Sequence, residues 1–186
     1  MRVTAVLFAA VVLICGCGRE GVMLSASRTQ MGTLVAITAV APTEEVARRA
    51  LEAGFAEVAR VEAVMSLHDP DSDLSRMNAE ASGGTATVSD EMMALLEEAL
   101  GYCEATGGAF DITIGPVVRA WGFHRLDGRM MGAEDVAALM PTVGWDKLRL
   151  DPAAGTVSFD VPGMEVDLGA IAKGYAADRA AEAMVA

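Results

Sequence analysis

Val166-Asp167-Leu168-Gly169-Ala170-Ile171-Ala172-Lys173-Gly174-Tyr175 is the stretch on which the reading of this chain turns. Glu165-Val166-Asp167 reads as the end of a strand, and Ala170 onward as a helix. Unpaired N–H groups and the positive end of the helix dipole then point into the turn between them. Lys173 falls in the first helical turn, where a cation gains nothing from the dipole, so it is placed to meet an anion such as a pyrophosphate. Gly169 and Gly174 let a ligand or another backbone come close. The alternative for this motif alone is a surface lysine in an ordinary strand-to-helix turn. The helix runs into Ala186 with no cap, glycine or polar stop, although helices are normally terminated. The sequence is therefore expected to be the N-terminal part of a longer one.

Upstream, Thr33 to Ala41 (TLVAITAVA) is rich in β-branched residues and is followed by Pro42, which reads as a strand. Thr43 can cap a long helix to about Met65, with Val46, Ala50, Phe55, Val58, Val61 and Met65 at helical spacing. His68 to Asp73 is a loop, and Leu74 to Asn78 a short helical turn. Ser89 caps a further helix that places Met92, Leu95, Leu96, Ala99 and Cys103 on one face, with Gly107-Gly108 as its stop. Ala109 to Phe123 reads as an ordered loop or short strand, and a short helix follows near Glu134–Met140. Leu148–Leu150 and Thr156–Phe159 flank a turn and read as a hairpin. This order of elements is compatible with an α+β fold.

The N-terminus has its own logic. Arg2, an apolar run from Ala5 to Ile14 and the small residues after it are the three zones of a secretory signal. The run is too short to span a bilayer, which takes roughly 20 apolar residues. Ile14-Cys15-Gly16-Cys17 resembles a lipobox, so residues 1–16 are expected to be removed, Cys17 to carry a lipid, and 17–26 to be anchor and tether. Gly18 to Ser25 is the tether proper, and an ordinary cleaved signal with an incidental cysteine is the alternative. Of the three cysteines only Cys103 then remains, so no intramolecular disulfide can form, and its helical position suits a small buried hydrophobe. Removing residues 1–16 takes away one arginine and no acid, so the net charge moves from -12 to -13. An acidic domain is a poor partner for nucleic acid or anionic headgroups, leaving the lipid as the means of membrane contact.

Several patterns lead nowhere. Gly16-x-Gly18-x-x-Gly21 matches a dinucleotide fingerprint, but no strand–helix unit surrounds it. Asp69, Asp71 and Asp73 with Glu80 resemble a calcium loop, against which Pro70 and Leu74 in the glycine position argue. Gly169 to Gly174 lacks phosphate-loop spacing. His68 and His124 are the only histidines, too few for a zinc-type cluster.

Four distant stretches share a character, glycine beside one or two polar residues in otherwise apolar sequence. They are Met31-Gly32-Thr33; Asp71 to Asn78 (DSDLSRMN); Gly107 to Pro116 (GGAFDITIGP); and Val166 to Tyr175. In these, in Trp121-Gly122-Phe123 and in the lipoprotein-type signal, the chain resembles the ApbE family, the exported FAD:protein FMN transferases. The resemblance runs in order over the whole chain beyond the signal, with 27–186 as the N-terminal part of an ApbE-like domain.

The resemblance implies an α+β, T-fold-related architecture with helices packed on antiparallel sheets, truncated at the C-terminus, and FAD in a cleft between lobes. It implies that Met31 packs on FAD, that Ala109, Phe110 and Asp111 line the same cleft, and that Asp167 and Lys173 also contact FAD. The Ala170 backbone carbonyl is implied as a Mg²⁺ ligand. His68 falls where the family often has an aromatic that stacks on a ring, and an imidazole offers less area. For Asp111 and Asn78 the alternative is that they cap or bridge loop backbone. The implied reaction is transfer of FMN from FAD to a threonine hydroxyl of an exported acceptor, releasing AMP. The implied acceptors belong to membrane electron-transfer systems, and the implied location is the extracytoplasmic, periplasmic face of a cell membrane. No catalytic base can be named within residues 1–186, and the fragment alone is expected to be inactive. An Mg-dependent FAD pyrophosphatase and a non-catalytic FAD-binding lipoprotein are the alternatives.

Overall fold

The computed structural model describes residues 21–122, 128 and 130–185. The signal segment, Cys17, Phe123 and His124 lie outside the described residues. Val22–Gln30 (β1) and Thr33–Ala41 (β2) form an antiparallel hairpin, registered from Val22 opposite Ala41 to Gln30 opposite Thr33. Helix α1 (Glu44–Met65) lies against the hairpin, followed by α2 (Asp73–Ala81), the short strand β3 (Thr85–Thr87) and α3 (Asp90–Ala105). Helices α4 (Gly115–Ala120) and α5 (Ala133–Leu139) lead to the hairpin β4 (Leu148–Asp151) and β5 (Thr156–Phe159), and α6 (Ala172–Val185) closes the described chain. The second sheet has the order β3-β5-β4, all antiparallel. Helices and antiparallel sheets thus make up an α+β fold.

Local sequence accounts for the helix starts. Thr43, Ser72 and Ser89 have extended backbones, and their hydroxyls accept hydrogen bonds from the N–H groups of Val46, Ser75 and Met92. Each such cap stabilises its helix by about 1 kcal/mol. The main core joins α1, α2, α3 and α6 over the second sheet, with Leu74, Met77, Met92, Leu95, Leu96, Ile112, Val157, Val166 and Leu168 buried. A smaller cluster, Ala39, Ala47 and Leu51, fixes α1 on the hairpin with Met184 of α6 packed against it. Cys103 is buried in the main core, and burial pushes its thiol up from the usual range.

Several expectations need correction. The stretch read as a tether enters β1 at Val22, because alternate side chains from there pack toward α1. The apolar face of α1 begins with buried Ala47 and Leu51, while Val46 is exposed. Helix α2 runs on to Ala81, since Leu74, Met77 and Ala81 recur on one buried face. Within Ala109 to Phe123, residues 115–120 are helical: Pro116 sits in the first turn, where its missing N–H costs nothing. Glu165 makes a single parallel bridge to Ile114 and no regular strand, and the last helix begins at Ala172, two residues later than expected. That bridge brings the chains so close that a Cβ on Gly115 would sit 2.6 Å from the Glu165 carbonyl oxygen.

Candidate functional site

The Met31-Gly32 turn joins β1 to β2 with both residues at positive φ, 51° and 67°. A two-residue hairpin loop of this kind normally takes Asn-Gly or Gly-Gly. A methionine held left-handed is strained by about 1–2 kcal/mol, which marks the position as one where side-chain identity matters. Met31 faces a cavity of about 280 Å³ together with Gly32, Met65, Leu67, His68, Val118, Asp167, Gly169 and Lys173. Glu62 of α1 lines the same cavity, although in the sequence it is one more acid on a polar helix face.

A second cavity of about 170 Å³ adjoins it, lined by Phe110, Asp111, Ile112, Ile114, Val118, Asp167, Gly169 and Ala170. Val118, Asp167 and Gly169 belong to both, so Asp167 stands on the boundary between them. Seven of the eight expected ligand or metal residues therefore gather around one divided cleft. Ala109 is exposed and lines neither cavity.

The turn at 167–173 is built by its own side chains. Asp167 Oδ1 accepts from the Gly169 N–H at 2.7 Å, folding the backbone back before the helix. The N–H groups of Ile171 and Ala172 donate to the Leu168 carbonyl at 2.9 and 2.7 Å. Among the described residues, the Lys173 and Gly174 N–H groups and the Ala170 carbonyl have no hydrogen-bond partner. Lys173 is exposed, its Nζ 3.4 Å from the Gly169 carbonyl oxygen. Lys173 thus brings a cation and an unpaired helix-start N–H to one end of the cleft, with the Gly174 N–H next in the chain, an arrangement that receives anions.

Other residues hold this turn in place. Asn78 bridges to Val166 in both directions, its Nδ2 donating to the carbonyl at 2.9 Å and its Oδ1 accepting from the N–H at 2.8 Å. Asp111 Oδ1 accepts from the Thr113 N–H and hydroxyl at 2.8 and 2.7 Å, and its Oδ2 from the Trp145 N–H at 3.1 Å. Its carboxylate is therefore a loop latch as well as part of the smaller cavity's wall. Tyr175 donates to Glu91 at 2.8 Å, and Arg60 to Glu91 at 2.7 Å, which ties α6 to α3 and α1 just beyond Lys173. The Arg60 guanidinium lowers the Glu91 carboxyl, while burial, then the Glu91 bond, pushes the Tyr175 phenol up to about 12.

The calcium-like loop is occupied by internal bonds. Asp69 Oδ1 accepts from the Asp71 N–H at 2.9 Å, and Asp73 pairs with Arg76. No group of three or more His, Cys, Asp or Glu residues suited to a metal ion occurs among the described residues.

Fold and site define a class: an α+β protein whose cleft opens on an anion-receptive helix start between a hairpin turn and a glycine-rich loop. The chain belongs to the ApbE family, whose model matches residues 31–186. It is similar to the FAD:protein FMN transferases of Haemophilus influenzae (33% identical, 91% of this chain, 51% of the relative) and Treponema pallidum (35% identical, 95% and 52%). Among solved structures it resembles the ApbE protein of Thermotoga maritima, with TM-score 0.80, 27% identity, and coverage of 88% of this chain and 52% of that one. It also resembles the flavin transferase ApbE of Vibrio cholerae, with TM-score 0.76, 30% identity, and coverage of 87% and 53%. The chain spans about half the length of the curated relatives it matches.

Proposed function

We propose that this chain supplies the FAD-holding part of an FAD:protein FMN transferase. The observation that carries the reading is the meeting of Met31, His68, Asp167 and Lys173 around one cavity that opens on the start of α6. The pyrophosphate of FAD would lie against the Lys173 ammonium and the unpaired N–H groups, with Met31 and Phe110 offering apolar surface to the ring systems. A threonine hydroxyl of an exported acceptor would attack the FMN-side phosphorus. The P–O bond to AMP breaks, AMP carries away the electron pair, and the hydroxyl proton is released. Such transfers depend mainly on positioning and on neutralising phosphate charge.

Mg²⁺ belongs to this proposal, but the donors present do not complete a site for it. The Ala170 carbonyl is available, Asp167 Oδ1 is engaged with Gly169, and no group of three or more His, Cys, Asp or Glu residues suited to a metal ion occurs among the described residues. Magnesium requires about six oxygen ligands, so no step is assigned to the ion, and the chain alone is expected to bind FAD weakly and transfer nothing. The purified chain should show FAD binding by titration calorimetry that Lys173→Ala weakens. Covalent FMN on a threonine-bearing acceptor after incubation with this chain, FAD and Mg²⁺ would overturn the assignment of catalysis to a larger assembly. Absence of FAD binding would overturn the whole reading.

The proposal extends to location. A lipid on Cys17 would hold the domain at the extracytoplasmic face of a cell membrane, near acceptors that are membrane electron-transfer proteins. No described helix is long and apolar enough to cross a membrane. Cys17→Ser should shift the protein from the membrane to the soluble fraction, and its retention with the membrane would remove the anchor.

A further inference from the structure

Glu62 lies on α1 one turn before Met65, and both line the larger cavity beside His68, Asp167 and Lys173. Three other glutamates of the same helix, Glu44, Glu52 and Glu57, are each ion-paired to an arginine. Glu62 is half-buried and has neither an ion pair nor a hydrogen bond among the described residues. Arg60, two residues earlier, bonds instead to Glu57 and Glu91 in a separate groove. A carboxylate left without a partner in a cleft wall loses hydration and gains nothing in return unless a ligand supplies donors.

The chemistry of that ligand follows from charge. An ionised carboxylate only accepts hydrogen bonds, through two oxygens, and repels phosphate. The phosphate-receptive groups come from α6, whereas Glu62 comes from α1 and makes no ion pair with Lys173, so the carboxylate and the ammonium line the same cavity without neutralising one another. Two adjacent hydroxyls of a sugar match a carboxylate's two oxygens, as in dinucleotide folds where an acidic side chain takes ribose hydroxyls. We infer that Glu62 is a specificity-determining residue that accepts hydrogen bonds from the sugar hydroxyls of the bound nucleotide, while the phosphates lie at the start of α6. The inference rests on the FAD reading above and refines it.

Titration calorimetry on the purified chain tests it, with FAD and inorganic pyrophosphate as separate probes, for wild type, Glu62→Ala, Glu62→Gln and Lys173→Ala. Losing hydrogen bonds to a charged acceptor should weaken FAD binding about tenfold or more in Glu62→Ala, with a smaller loss in Glu62→Gln. Pyrophosphate should bind both Glu62 variants as well as wild type or better, since a repulsive charge is gone. Its binding also reports that these variants are folded. Lys173→Ala should weaken both probes. If Glu62→Ala binds FAD like wild type while Lys173→Ala does not, the role of Glu62 is overturned and the FAD reading stands. If Glu62→Ala loses both probes, its role is structural only and the inference fails. A wild-type chain that takes FAD but no pyrophosphate removes the assigned phosphate end and the inference with it, and one that takes neither overturns both readings.

Discussion

Asn78 holds Val166 by two hydrogen bonds in opposite directions, 2.9 and 2.8 Å long, across 88 residues of chain. A side-chain amide thereby does for Val166 what a neighbouring strand would do, satisfying both backbone groups in a buried position. The next residue is Asp167, which folds the turn into α6, so α2 sets the approach of the chain to the cleft. Asn78→Leu would leave a buried N–H and carbonyl unpaired and should destabilise the protein by about 2–4 kcal/mol. Urea unfolding followed by circular dichroism measures this, and a loss well under 1 kcal/mol would show that the bridge is dispensable.

Gly115 tests the same junction from the other side. A Cβ there would stand 2.6 Å from the Glu165 carbonyl oxygen and 2.9 Å from its side chain. The nearest obstacle is backbone, so the strain cannot be relieved by a rotamer change. Gly115→Ala should lower stability by about 1–3 kcal/mol, the usual cost of overpacking, and should loosen the Ile114–Glu165 bridge. Unchanged thermal unfolding would contradict so close an approach.

The tie between α6, α3 and α1 has a pH signature. Arg60 holds the Glu91 carboxyl below its ordinary 4.5. A lowered carboxyl contributes stability above its unfolded value, and that contribution is lost as pH falls through the lower folded one. The Tyr175 phenol rises from 10.0 to about 12, chiefly through burial. A raised phenol contributes stability that is complete below 10.0 and is lost as pH rises toward about 12. Thermal unfolding across pH should show both declines, Glu91→Gln flattening the acid limb and Tyr175→Phe the alkaline one. Identical profiles for wild type and both variants would show that the tie contributes nothing.

How much of this was legible in the sequence depends on range. Thr43 and Ser89 could be read as caps because each bonds to an N–H three residues ahead, and Gly107-Gly108 as a stop because the glycines carry positive φ. The pairing of Asn78 with Val166 has no local trace, because an asparagine in sequence shows only that it can bridge backbone and not which partner 88 residues away it meets. β3 has no signature in the sequence because three residues, Thr85-Ala86-Thr87, carry no periodicity and become a strand only by pairing with β5. Helix α4 was obscured by Gly115-Pro116, two residues that break helices in the interior but are tolerated in the first turn. Most of the cleft was legible through motifs, with Glu62 outside them because an acid on an amphipathic helix looks like any solvated residue.

Met31 separates the needs of the fold from those of the cleft. Its φ of 51° lies where asparagine and glycine are at ease and methionine is not, yet its side chain faces the larger cavity and packs beside the main core. Met31→Asn would make the hairpin loop Asn-Gly, the favoured pair for two positive φ values. Relief of the left-handed strain, about 1–2 kcal/mol, should offset the lost packing, so the melting temperature should hold or rise. FAD binding by the same variant should weaken several-fold, because an amide cannot replace the thioether's apolar contact with a ring. Thermal unfolding and FAD titration on one preparation provide both readouts. A variant that melts well below wild type while binding FAD undiminished would reverse the assignment, making Met31 a packing residue rather than a ligand contact.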